Sequence, residues 1–199
     1  MHEFESVILD SFKNIEEKYF KQNTIVIEKF KYNERVFCYE FYHQLRLNQK
    51  KFKGLTISGE TVKSKSQFAN LNVNKTPDIL IHSFGKTNNN EVIIEVKTSN
   101  KKQSVLDGMK KDFRTLDVFT DSTTFNINYK LGIYILFNFD FFELINNNKR
   151  IKNHIKEILK NNKRIILWNI PNPIYINSKI NEDCIIKYSN HELLKKIQS

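Results

Sequence analysis

The strongest constraint on the fold is the alternation of helix-like and strand-like segments in the middle of the chain. A helical pattern begins at Asn33, a suitable N-cap, and is succeeded along the chain by short apolar segments at 55–59, 78–82 and 91–98. A second helical pattern and one more apolar segment, 130–138, come next. Strands and helices in this order pack as layers. The sequence therefore predicts an α/β (α+β) fold with an αβββαβ core, in which helices flank a mixed central sheet.

Two further helices are predicted from local patterns. Apolar residues at helical spacing indicate a first helix over 3–21. Ser104 with Asp107 three residues later has the pattern of a capping box and predicts the start of the second core helix.

The rest of the chain predicts a C-terminal α/β addition to the core. A helix over 151–159 and strands over 165–169 and 183–188 account for its apolar residues. We expect one domain over 1–199, which consists of a core at about 33–138 and an addition at 139–199 of unknown role. The polar segment 63–75 predicts a surface loop.

Charge and composition restrict the class of partner. The chain has 199 residues, with 32 Lys and Arg against 22 Asp and Glu, for a formal net charge of +10. Such a surplus favours a polyanionic partner, usually nucleic acid. The most apolar stretch, 131–145, is too short and too polar to span a bilayer, so we expect no membrane partner.

The N-terminus and the cysteines predict a cytoplasmic protein. Residues 1–5 are acidic, whereas a secretory signal begins with basic residues and an apolar run. Cys38 and Cys184 are too few for a disulfide framework or a four-cysteine zinc site. A reducing compartment fits this cysteine usage best.

Two acids and a lysine on neighbouring predicted strands point to a metal site. Side chains alternate along a strand, so Glu95 and Lys97 share one face while Ile94 and Val96 share the other. Asp78 begins the preceding strand of the predicted hairpin, where it can approach Glu95. Neighbouring carboxylates repel one another, and a divalent cation between them removes that repulsion. Ligands that are all oxygen suit Mg²⁺ or Mn²⁺.

Two further acids are candidates for the same site. Glu40 lies within the apolar arc of the first core helix, together with Gln44, and an acid there needs a cation nearby. Glu60 closes the first predicted strand. Ordinary roles stay open for all of these residues: Asp78 as a turn cap, Glu95 and Lys97 as a surface pair, Glu40 as a structural ion-pair partner and Glu60 as a strand end.

This arrangement resembles the motif of the PD-(D/E)XK nuclease superfamily. The residues that carry the resemblance are Glu40 on a helix, Pro77-Asp78 on a strand and Glu95-Val96-Lys97 on the next strand. The segment 39–46 and the pair Gly59-Glu60 are similar to a bacterial branch of that superfamily. The resemblance covers about 33–138 and implies a restriction-endonuclease-like fold.

The resemblance also implies an activity, which is metal-dependent hydrolysis of DNA phosphodiester bonds. An endonuclease in restriction, phage defence or DNA processing would suit this branch. Mg²⁺, with Mn²⁺ as a substitute, would polarise the phosphate and activate water. Lys97 would orient that water or stabilise the transition state. The implied metal ligands are Asp78, Glu95, the Val96 carbonyl, Glu40 and Glu60.

The expected partner is DNA, and other functions remain open. Phosphate contacts are predicted for residues that flank the site in sequence or on its helix, namely Lys101, Lys102, Lys110, Lys111 and Gln44. A homodimer would supply two sites for two strands, and a separate protein could supply specificity. The alternatives are a catalytically silent domain that binds nucleic acid or a partner, and a nuclease for RNA or branched DNA.

Overall fold

The structure is a computed structural model that describes residues 2–23, 30–59, 76–83, 89–121 and 127–198. Glu60 and the predicted loop 63–75 lie outside the described residues.

Helices and strands alternate along the described chain. The helices are α1 (Glu5–Lys13), α2 (Glu17–Phe20), α3 (Glu34–Leu47), α4 (Lys102–Thr120), α5 (Phe141–Asn146), α6 (Lys149–Asn161) and α7 (Asn190–Gln198). The strands are β1 (Lys21–Asn23), β2 (Phe30–Tyr32), β3 (Thr56–Gly59), β4 (Ile79–His82), β5 (Asn90–Lys97), β6 (Leu131–Phe137), β7 (Ile165–Ile170), β8 (Tyr175–Ile176), β9 (Lys179–Ile180) and β10 (Ile186–Tyr188).

Six of the described strands form the central sheet, in the order β10-β7-β6-β5-β4-β3. The pairs β5–β6 and β6–β7 are parallel, and the other neighbours are antiparallel. The predicted mixed α/β class, with helices flanking a mixed sheet, is therefore confirmed. The central elements run in the order α3, β3, β4, β5, α4, β6.

The alternation of β5 places its side chains in two separate cores. Ile94 and Val96 belong to the core that contains Phe37 of α3. Ile93 belongs to the core that contains Met109 of α4. Because side chains two residues apart share a face, Glu95 and Lys97 lie on the α4 side of the sheet.

The prediction of one helix over 3–21 is wrong. Helix α1 ends at Lys13, and α2 begins only at Glu17. Between them Glu16 has extended backbone and pairs with Lys179 in an isolated β-bridge. The amide of Glu17 donates to the carbonyl of Ser178 at 2.7 Å. These long-range backbone bonds replace the helical ones, and helical periodicity cannot reveal them.

The two core helices differ in how well their starts were predicted. The Asn33 side chain accepts a hydrogen bond from the amide of Val36 at 3.4 Å, which confirms the predicted N-cap of α3. Helix α4 begins at Lys102, so the predicted capping box at Ser104 is wrong. Ser104 lies inside the first turn instead.

The C-terminal addition is continuous with the core sheet. Strand β7 pairs with β6, and β10 extends the sheet beyond β7. The short helix α5, the β8–β9 hairpin and the terminal helix α7 were not predicted from the sequence. None of the helices in the described ranges is long and apolar enough to cross a membrane.

Candidate active site

The two strand acids meet where β4 begins and β5 ends. Strands β4 and β5 are antiparallel, with Ile79 opposite Ile94, so Asp78 reaches the last residues of β5. Its Oδ2 accepts a hydrogen bond from the amide of Val96 at 2.7 Å. Glu95, on the same side of the sheet, is buried. The structure thus brings together Asp78, Glu95, Val96 and, one residue later, Lys97.

Burial and neighbouring acids perturb both carboxyl groups. Burial raises the pKa of Asp78 to about 7, although the Val96 hydrogen bond opposes the shift; Glu34 and Asp112 add to it. Burial, followed by Asp78 and Asp112, raises the pKa of Glu95 well above its ordinary value. Such shifts mark two acids held close together in a low-dielectric environment.

Two carboxylates hold the ammonium of Lys97. Its Nζ lies 3.0 Å from Oε2 of Glu34 and 3.7 Å from Oδ2 of Asp112. The same Glu34 oxygen accepts a hydrogen bond from the amide of Thr98 at 3.2 Å. Burial lowers the pKa of Lys97, but Asp112 and Glu34 outweigh it, so the net pKa is raised. The site therefore keeps a fixed positive charge beside Asp78 and Glu95.

Gly108 of α4 makes room for that lysine. A Cβ at this position would lie 2.3 Å from Cε and 3.0 Å from Nζ of Lys97. Glycine inside a helix costs about 1 kcal/mol relative to alanine. This cost has a structural reason here, because any side chain would displace Lys97.

Glu34 and Asp112 were not predicted from the sequence, although the spacing of each from buried residues of its helix marks it as a candidate. Glu34 precedes the buried residues Phe37 and Cys38 by three and four positions, which places it on the core-facing side of α3. Asp112 follows the buried Met109 by three positions and is itself buried. An acid on the apolar face of a helix is a candidate for a functional site.

Glu40 lies on a different side of α3 from Glu34. Glu40 lies six residues further along α3, about 240° around the helix. Its Oε1 accepts a hydrogen bond from Nε2 of Gln44 at 2.6 Å, and His43 Nδ1 lies 3.3 Å from its Oε2. Glu40 and Gln44 are thus paired with each other, and it is Glu34 that contacts Lys97.

A buried tyrosine lies beside Glu95 in the central sheet. Tyr134 is the β6 neighbour of Glu95 and is fully buried. Its hydroxyl has no hydrogen-bond partner among the described residues. Burial, then Asp112 and Glu34, raise its pKa well above the ordinary value. The phenol is therefore a neutral polar group facing the acids.

The four lysines predicted to contact phosphate do not form one group. Lys111 is exposed and lowers the pKa of the nearby Glu95, against the larger effects of burial and the acids. Lys110 instead lies close enough to His154 of α6 to lower that side chain's pKa, after burial. Lys102 Nζ lies 3.5 Å from Glu143 of α5, and Lys101 is exposed before α4.

The donor set fits a divalent cation that takes few protein ligands. Within the described ranges, no three His, Cys, Asp or Glu side chains converge closely enough to hold a metal ion. Mg²⁺ is commonly bound by one or two carboxylates, with water and substrate phosphate completing its shell. Asp78 and Glu95 supply two oxygen donors of this kind, and their mutual repulsion favours a cation between them.

Comparisons with known protein families, curated proteins and solved structures found no match to this chain. The function must therefore be argued from the residues of the site.

Proposed function

We propose that this protein is a metal-dependent nuclease that hydrolyses DNA phosphodiester bonds. The observation that supports it best is the placing of the partly buried Asp78 and the buried Glu95 beside the charged Lys97, on one face at the ends of adjacent strands. The same residues carry the resemblance to the PD-(D/E)XK superfamily. The net charge of +10 suits a polyanionic substrate.

Each residue of the cluster has a role in this proposal. Asp78, Glu95 and the Val96 carbonyl would hold Mg²⁺, with Mn²⁺ as a substitute. Bound there, the metal would polarise the scissile phosphate and lower the pKa of an attacking water. Lys97 would donate a hydrogen bond to that water or to the phosphate oxygen on which negative charge develops. Glu34 and Asp112 keep Lys97 protonated and in place.

A cleavage assay with a matched control tests the proposal. Supercoiled plasmid, linear duplex, single-stranded, branched and RNA substrates would be incubated with Mg²⁺, Mn²⁺ or EDTA. Glu95→Gln should lower the cleavage rate at least about 100-fold, since a ligand of the metal that would stabilise charge in the transition state is lost. Glu91→Gln is the control, because Glu91 is a buried acid of the same strand that pairs with Lys130 at 2.5 Å and His2 at 3.4 Å.

The outcomes separate the functions that the sequence left open. Metal-dependent cutting of closed circular DNA would establish an endonuclease. Binding of nucleic acid without cleavage in any metal would favour the catalytically silent domain. Cleavage by Glu95→Gln within about threefold of the unmodified protein would contradict the assigned site.

A further inference from the structure

The β1–β2 hairpin is tied to the chain just beyond Lys97. Asn100 lies three residues after Lys97, and its Oδ1 accepts a hydrogen bond from the amide of Tyr32 at 2.9 Å. Its Nδ2 donates to the carbonyl of Phe30 at 2.7 Å. One side chain thus holds both ends of β2 against the segment that leaves the catalytic strand.

The same hairpin leads directly into the candidate site. Glu34 follows Tyr32 by two residues and contacts both Nζ of Lys97 and the amide of Thr98. The hairpin is therefore held at the edge of the site on two sides, by Asn100 from the loop and by Glu34 from α3.

The exposed surface of the described part of this hairpin is aromatic and basic. Phe30 is 49% exposed, although most large apolar side chains of the protein are buried. Lys21 Nζ lies 3.4 Å from the centroid of its ring. Lys31 and Lys101 are exposed and make no ion pair with any described residue. The described hairpin residues and the segment 98–102 contain no Asp or Glu.

From this combination we propose that the β1–β2 hairpin is a stacking arm for an unpaired nucleotide of the substrate. An exposed aromatic ring with lysines around it is the usual platform for single-stranded nucleic acid, because bases stack on the ring and cations hold the phosphates. Lys21 covers one face of Phe30, and a base would stack on the other. Lys31 and Lys101 would contact the flanking phosphates. This rests on the proposed nuclease function and names its substrate class: DNA with unpaired nucleotides beside the scissile phosphate.

Binding measured without cleavage tests the arm separately from the activity. Labelled single-stranded DNA of about 15 nucleotides and a duplex of equal length would be titrated in EDTA and followed by fluorescence anisotropy. Phe30→Ala should weaken single-strand binding by about 5- to 100-fold and leave duplex binding nearly unchanged, because one base stack is lost. Tyr39→Ala is the matched control, since Tyr39 is an aromatic residue on α3 with 56% exposure.

Two more variants separate stacking from general loss of structure. Phe30→Trp should retain single-strand affinity, and the fluorescence of the introduced indole should be quenched by single-stranded DNA. The native Trp168 is fully buried and provides a constant background. The double variant Lys31→Gln with Lys101→Gln should flatten the slope of log affinity against log salt by about 1.4, at about 0.7 per lost phosphate contact on a single strand.

The results distinguish failure of the arm from failure of the proposed function. If the unmodified protein cleaves DNA while Phe30→Ala binds single strands as tightly as the Tyr39→Ala control, the arm is refuted and the nuclease assignment stands. If Phe30→Ala loses single-strand binding while no substrate is cleaved in any metal, the arm is supported and the nuclease assignment fails. Equal losses on single-stranded and duplex DNA would also overturn the arm as a reader of unpaired bases.

Discussion

At the scale of single residues, the surroundings of Lys97 are the most informative feature. A buried charge is costly unless it is paired, and this ammonium has two carboxylate partners, Glu34 and Asp112. Neither partner precedes or follows it closely in sequence. The cluster thus fixes one lysine in one position, as its proposed contact with a reacting phosphate would require.

The first prediction at this scale concerns Gly108→Ala. The new Cβ would lie 2.3 Å from Cε of Lys97, so the lysine side chain must move. A displacement on the order of 1 Å can lower turnover about 100-fold. Stability should change little, because alanine favours the helix by about 1 kcal/mol and offsets the local crowding.

Single-turnover cleavage and thermal unfolding would be measured side by side for this variant. Ser104→Ala, an exposed position on the same helix, is the control. Unchanged turnover in Gly108→Ala would show that the placement of Lys97 is irrelevant to the reaction.

At the scale of elements, helix α3 carries two glutamates and presents them to different surroundings. Its first-turn residue, Glu34, reaches the end of β5, whereas Glu40 pairs with Gln44 and His43 on the same helix. The sheet packs against the helix face that holds Phe37 and Cys38, and Glu34 shares that face. The position of an acid around the helix therefore determines whether it can join the site.

The second prediction compares these two acids. Glu34→Gln removes a charge that raises the pKa of Lys97. Lys97 should then lose its proton at lower pH, so the alkaline limb of the rate profile should move to lower pH. Turnover should fall about tenfold or more, as for a group that positions a catalytic residue. Glu40→Gln should leave turnover within about threefold of the unmodified protein and should leave the alkaline limb in place.

Rate profiles from about pH 7 to 12 would check this comparison, because that range spans the transition of a lysine ammonium with a raised pKa. An alkaline limb that shifts in Glu40→Gln and stays in place in Glu34→Gln would contradict this prediction. It would show that Glu40, and not Glu34, acts on Lys97.

At the scale of the whole molecule, the two ends of the chain share one core. Phe12 of α1 and Trp168 of β7 pack with ring centroids 6.0 Å apart. Strand β7 pairs along the length of β6, so residues beyond 138 cover the edge of the core strands. An uncovered parallel edge would expose unpaired backbone groups and apolar side chains.

The third prediction is that a chain ending at residue 138 does not fold by itself. It would lose the partner of β6 and the burial supplied by Trp168 and Ile170. We expect aggregation or no cooperative unfolding transition, measured by size-exclusion chromatography and circular dichroism. A chain ending at residue 189 loses only α7, with its buried Leu193 and Ile197, and should fold with a lower melting temperature. Cooperative unfolding of the 1–138 chain would contradict this view.

The sequence by itself determined the main elements and the three strand residues of the site. The strands were found because apolar runs bounded by polar residues are a local pattern, and the α3 N-cap at Asn33 is local as well. The proximity of Asp78, Glu95 and Lys97 could be predicted because alternation along a strand and pairing in a hairpin follow short-range rules.

Only the tertiary structure decided which other groups join them. The break in the first helix comes from bonds between Glu17 and Ser178, far apart in sequence. Glu34, Asp112 and Gly108 surround Lys97 because helices on either side of the sheet meet at the end of β5. Helical periodicity gives the spacing of residues around a helix, but it does not show which part of the sheet that helix covers. That choice depends on packing between distant segments.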